Sequence, residues 1–142
     1  MINYDNDFYG WTLEQVALLK TRQWQQIDID NLIEEVESMG RSEKRALESR
    51  LVVLMAHLLK WQYQPIRRGK SWHLTIKGQR ANCRDVLADN PSLKSKLNDI
   101  FNNAYEKAKI EAAKETDLDE SSFPINCPYT LAQVFDNDFY PD

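Results

Sequence analysis

Apolar residues recur every three to four positions along almost the whole chain, and the residues that break such a pattern are few and clustered. The 142 residues include 4 glycines and 5 prolines. Between them run long stretches with helical periodicity and almost no period-2 alternation, so the sequence predicts an all-α protein. Thr12-Leu13-Glu14-Gln15 reads as a capping box opening a first helix. Leu13, Val16 and Ala17, with Lys20 and Trp24 beyond, mark one face of it. Asp28 or Asp30 can cap a second helix. Its stripe runs Ile29, Leu32, Ile33 and Val36, then resumes as Leu47, Leu51, Leu54, Met55 and Leu58.

A continuous helix from 28 to 62 would be about 52 Å long. A compact domain of this size is roughly 37 Å across, and glycine costs about 1 kcal/mol inside a helix. The reading therefore places a break or bend near Gly40-Arg41-Ser42, with an overhanging long helix as the alternative. Gln64-Pro65 ends this unit, and Ser71 can cap a helix with the stripe Trp72, Ile76, Cys83, Val86 and Leu87. Asn90-Pro91 opens another, running to about Glu115. Thr116 to Tyr129 is acidic and turn-rich, and Thr130-Leu131-Ala132-Gln133 is a second capping box. The expected architecture is a single-domain bundle over residues 1–142, of five or six helices.

No stretch approaches the ~18 consecutive apolar residues of a membrane helix. The N-terminus is acidic and lacks the basic and apolar regions of a signal peptide. These features point to the cytosol, without a membrane partner. Cys83 and Cys127 read there as free thiols packed like small hydrophobes. His57 and His73 are 16 apart and form no ligand-spaced pair. His57, at the edge of an apolar stripe, reads as a packed residue rather than a base.

Charge is distributed very unevenly. The formal net charge is −4, yet residues 49–84 contain no Asp or Glu and eight bases, while residues 1–48 and 85–142 are both acidic. This segment also carries Trp61, Tyr63 and Trp72. Bases interleaved with aromatic rings suit a phosphate-rich partner, charges for its backbone and rings for stacking. The candidate anion-binding residues are Lys60, Arg67, Arg68, Lys70, Trp72, Lys77, Arg80 and Arg84, with nucleic acid or an acidic protein as the partner. Lys77, Arg80 and Arg84 lie three and four apart on one helix face. The competing expectation is pairing inside the molecule, with Glu34, Glu35, Glu37 and the acidic tail.

Glu34 and Glu37 project from one helix face and could hold Mg²⁺, as in an all-α phosphohydrolase. No Glu-x-x-Asp supplies a second half, and Glu37 with Arg41 forms an ordinary i,i+4 pair. No catalytic residue, metal ligand set or cofactor is therefore assigned. A non-enzymatic binding module is the preferred reading. The Mg²⁺-dependent enzyme and a regulatory protein-interaction subunit are its alternatives.

Asp-Asn-Asp-Phe-Tyr occurs at residues 5–9 and again at 136–140, before one capped helix and after another. Both chain ends are expected to dock an aromatic anchor beside a short capped helix. The stretch from Asn31 to Arg45, followed in order by His57-Leu58-Leu59-Lys60-Trp61, Gln64-Pro65, Ser71-Trp72, Gln79-Arg80, Pro91-Ser92-Leu93, Phe123-Pro124, Cys127-Pro128-Tyr129 and Asp138-Phe139-Tyr140-Pro141, resembles the DUF29 family of mostly cyanobacterial proteins. Tyr4 to Trp11 fits as well, and Asp117 departs from it where glycine is expected. The resemblance implies a bacterial, helical, single-domain protein and no activity, since the family has none established.

Overall fold

The computed structural model describes all 142 residues as five α-helices and four short 3₁₀ turns, without a strand. The helices are α1 (Phe8–Lys20), α2 (Ile29–Tyr63), α3 (Lys70–Asp89), α4 (Leu97–Glu115) and α5 (Leu131–Phe135). The internal contacts divide the chain into two compact units, Met1–Arg41 and Ser42–Asp142.

In the first unit, α1 starts four residues before the expected Thr12. Asp7 is its N-cap, accepting from the Gly10 N–H at 2.9 Å, while the Thr12 hydroxyl donates to the Tyr9 carbonyl. Aspartate is the stronger cap and adds negative charge at the positive end of the helix. Tyr4, Phe8 and Trp11 form an aromatic cluster with ring centroids 4.7–5.8 Å apart. Trp11 is buried, and its Nε1 donates to Asp28, which caps α2 by accepting from the Asn31 backbone N–H at 3.5 Å and also accepts from the Asn31 side-chain amide at 2.8 Å. Gln15 accepts from the Asp28 N–H at 2.8 Å. Only Trp11, Gln15, Leu18 and Ile27 are buried in this unit.

Helix α2 is unbroken through Gly40, so the break expected at Gly40-Arg41-Ser42 is absent. One glycine costs about 1 kcal/mol. That is small against a run of strong helix formers, and Arg41 reaches back to Glu34 (3.1 Å) and Glu37 (3.7 Å) across the same turns.

The second unit holds the main core. Leu51, Leu54, Met55 and Leu58 of α2 pack with Ile76 and Cys83 of α3 and with Ile100, Ala104 and Tyr105 of α4. Helix α3 begins at Lys70 with Gly69, not Ser71, at the cap position. The helix expected from Pro91 winds first as a 3₁₀ segment, Pro91–Lys96, before α4 proper. The Asn90 amide does not cap it and instead donates to the Val86 carbonyl and to Glu43. The capping box at Thr130 and Gln133 forms as read. The coil before it is pinned at both ends, by the Tyr105 hydroxyl to the Pro124 carbonyl and by Tyr129 to Gln62 at 2.8 Å.

A Cβ added at Gly40 meets nothing within 4 Å. Gly40→Ala should therefore stabilise the protein by about 0.5–1 kcal/mol, raising Tm by about 2–3 °C in a thermal melt. An unchanged or lower Tm would mean that the helix needs its glycine.

Candidate functional site

The seven candidate cations of the acid-free segment divide into two groups. Four are engaged within the second unit. Arg80 is completely buried, and its Nε and Nη2 donate to the carbonyls of Val134 and Phe139 at 2.7 Å each. Longer bonds of 3.4 Å run to the carbonyls of Asn137 and Gln133, and the guanidinium lies 5.3 Å from the Tyr140 ring centroid. Arg84 donates to the Phe135 carbonyl at 2.8 Å and to the Asn137 side chain. Arg68 donates to Trp61 O at 2.7 Å and to the carbonyls of Pro141 and Asp142, above the Trp61 ring. Lys60 is buried, pairs with Glu115 and sits 4.8 Å over the half-buried Trp72 ring.

The partners of the three arginines are thus mostly main-chain oxygens of the C-terminal segment, with Trp61 O and the Asn137 side chain besides, and none of them meets Glu34, Glu35 or Glu37. Burial pushes the Arg80 guanidinium below its ordinary pKa, with Arg84 adding to it. Tyr140, Asp136 and Asp138 oppose the shift. The fork of an arginine suits this role because the last carbonyls of α5 have no helical partner. The second group, Arg67, Lys70 and Lys77, is exposed and has no carboxylate or carbonyl partner.

Between α2 and α4 lies a groove of about 400 Å³ lined by Val52, Val53, His57, Ile110, Glu111 and Glu115, among others. His57 Nδ1 donates to the Val53 carbonyl of its own helix at 2.8 Å, its only hydrogen bond. Burial lowers its pKa, Lys60 adds to that, and the Val53 carbonyl and Glu115 oppose it. Burial raises both thiols, Cys83 to about 12, which disfavours the reactive thiolate. Glu34 and Glu37 share Arg41, and no cluster of three metal-ligating side chains is present.

The feature that stripe reading did not anticipate is in the first unit. An apolar stripe at helical spacing ordinarily faces a core. Here Leu13 (54 % exposed) and Val16 on α1, and Ile29, Ile33, Val36 (56 %) and Met39 (61 %) on α2, are open. Helix α1 buries the opposite face, Trp11, Gln15 and Leu18. Twelve of the sixteen exposed large hydrophobics of the whole chain fall in these 41 residues. The signal was in the sequence as the periodicity itself. Which side of each helix is covered was not.

An all-α protein emerges, with an arginine-clamped C-terminal segment and an uncovered apolar face near its N-terminus. The chain belongs to the DUF29 family, a domain of unknown function, whose family model matches residues 3–140. No curated protein and no solved structure matches it.

Arg80→Met keeps the apolar stem but leaves four carbonyls without a donor. It should cost about 2–4 kcal/mol, lowering Tm by about 6–12 °C. Arg67→Ala, at an exposed and unpaired position, should stay within about 0.5 kcal/mol. Equal melts for the two variants would refute the clamp.

His57 generates a pH prediction. Because its folded-state pKa is lowered, the unfolded chain takes up the proton first. The stability that neutral His57 contributes is present in full above 6.5 and is lost as pH falls from there through the lowered folded value. Asp28, lowered chiefly by its Asn31 and Trp11 hydrogen bonds, adds a loss only below 3.8. Urea midpoints measured between pH 7 and pH 5 should fall in the wild type and stay flatter in His57→Gln.

Proposed function

We propose that the protein is a cytosolic bacterial interaction module, without catalytic activity of its own, that binds another protein through the apolar face of Met1–Arg41. The observation that carries this reading is the concentration of exposed large hydrophobics in that unit, set at helical spacing on two helices. An exposed apolar patch with a polar rim is the usual mark of a protein-binding surface. The unit as a whole is acidic, with eight carboxylates and three bases in residues 1–41. The cytosolic placement rests on the two unpaired thiols. No helix is long and apolar enough to cross a membrane.

A second reading keeps part of the basic segment. Arg67, Lys70 and Lys77 are exposed and unpaired in a stretch without acid. An anionic partner, nucleic acid or an acidic protein, would meet these three cations first. Lys60, Arg68, Arg80, Arg84 and Trp72 would frame them from within the fold.

One experiment weighs both readings. A photo-cross-linking amino acid is placed at Val36 or at Lys70 in the full chain and irradiated in cells. Discrete protein adducts at position 36 are expected. Adducts at position 70 alone, with nucleic acid or protein, would replace the first reading by the second. No adducts at position 36 would refute the first.

A further inference from the structure

We infer that the occupant of the α2 stripe is a second copy of this chain, packed antiparallel about a two-fold axis near Val36. The inference rests on the interaction-module reading above and names its partner.

The stripe has the geometry of a helix seam. Ile29, Ile33, Val36 and Met39 recur at intervals of four, three and three and are each more than half exposed. A shallow groove of about 260 Å³, lined by Ile29, Leu32, Ile33, Val36 and Glu37, runs beside them. Side chains of a facing helix would fill such a groove as ridges do.

Charge selects the occupant. From Asp28 to Glu37 the helix carries five carboxylates and no base, and the next charge is Arg41. At 3.6 residues per turn, Asp30 and Glu37 border the apolar stripe along the same edge as Arg41, acid first and base after. A two-fold axis keeps that edge against itself and reverses its direction. Asp30 of each copy then lies across from Arg41 of the other, and the pair forms twice. The apolar stripe is centred at residue 34 and this charge pair between 35 and 36, so one register serves both.

A parallel two-fold copy would set this edge against the opposite edge of the stripe, which carries Glu35, and so face acid with acid. A uniformly basic partner would meet Arg41 with like charge, and a polyanion would be repelled by the acidic remainder of the unit. Arg41 at present bridges Glu34 and Glu37, all three half exposed or nearly so. Such exposed pairs contribute little and can exchange.

The test is sedimentation velocity of the purified full chain across concentration at low salt. The wild type should dimerise, and Ile33→Glu with Val36→Glu should weaken dimerisation at least about 100-fold, with unchanged helical circular dichroism. Asp30→Arg and Arg41→Asp should each weaken it about tenfold. An equimolar mixture of those two variants should regain the wild-type affinity, because opposite charges then face each other at both pairs. This arm decides the matter even if the double glutamate variant unfolds.

A wild type that stays monomeric up to about 200 µM would overturn the inference, and so would a dimer indifferent to all of these substitutions. In either case protein adducts at position 36 in cells would still support the interaction module, with a different partner. Their absence would remove both readings.

Discussion

Much of the second unit depends on one buried cation. Arg80 is held with no carboxylate at hydrogen-bond distance, so its charge is compensated by main-chain dipoles. Those dipoles are well placed because α5 ends beside it. The last carbonyls of a helix lack partners and carry its partial negative charge. Arg84 takes a neighbouring carbonyl and Arg68 takes those at the chain's end. The segment from Gln133 to Asp142 is thereby fixed to α3 and its approach by three guanidinium groups. This accounts physically for a stretch rich in arginine yet free of acid. The partners of its three engaged arginines are chiefly carbonyls, which every residue supplies, while Lys60 of the same stretch pairs with Glu115.

The first unit has the reverse character. Its polar contacts are local, centred on Asp28 beside the Tyr4–Phe8–Trp11 cluster, while its apolar burial is thin. A 41-residue unit cannot bury enough surface to be stable by itself. The same helices that show clear apolar stripes turn them outward. Hydrogen bonds orient the helices, and the favourable transfer of those stripes from water is left unrealised in the single chain. An uncovered stripe that a helix-forming sequence maintains over three turns is a physical argument for a covering surface, independent of which molecule provides it.

What could be read from the sequence follows from the range of the interactions involved. The all-α class, the Asp28 cap and the Thr130–Gln133 box are local, and periodicity or a four-residue motif reveals them. The start of α1 is not legible locally, because Asp7 and Thr12 compete as caps within six residues and the choice depends on where Asp7 points. The helix continues through Gly40 because the cost of one glycine is small against helix formers on both sides. The destination of the basic segment was hidden for a different reason. Charge counting registers acids, and the groups that receive Arg68, Arg80 and Arg84 are, apart from the Asn137 side chain, main-chain oxygens without a sequence signature. Likewise periodicity shows that a helix has an apolar face, but tertiary packing decides whether the chain itself covers it.

The repeated pentapeptide isolates this last point. At the N-terminus Asp7 caps α1, Phe8 stacks on Trp11 at 5.8 Å, and Tyr9 is 73 % exposed. At the C-terminus the identical residues do other work. Asp136 accepts from the Asp138 N–H, and Asn137 and Phe139 present carbonyls to Arg80. Tyr140 lies between Trp61 and His73, with ring centroids 5.0 Å from each. The intrinsic preferences of the two copies are the same, so the difference in burial comes from their surroundings. Where guanidinium groups are available to take the main-chain carbonyls, the aromatics are drawn into the fold. Where none is available, the backbone is satisfied by the helix it opens and the tyrosine stays in solvent. The contrast between Tyr9 and Tyr140 is thus set by surroundings and not by local sequence, and a surface that covers the α2 stripe must likewise act through apolar contact and the charges at its edge.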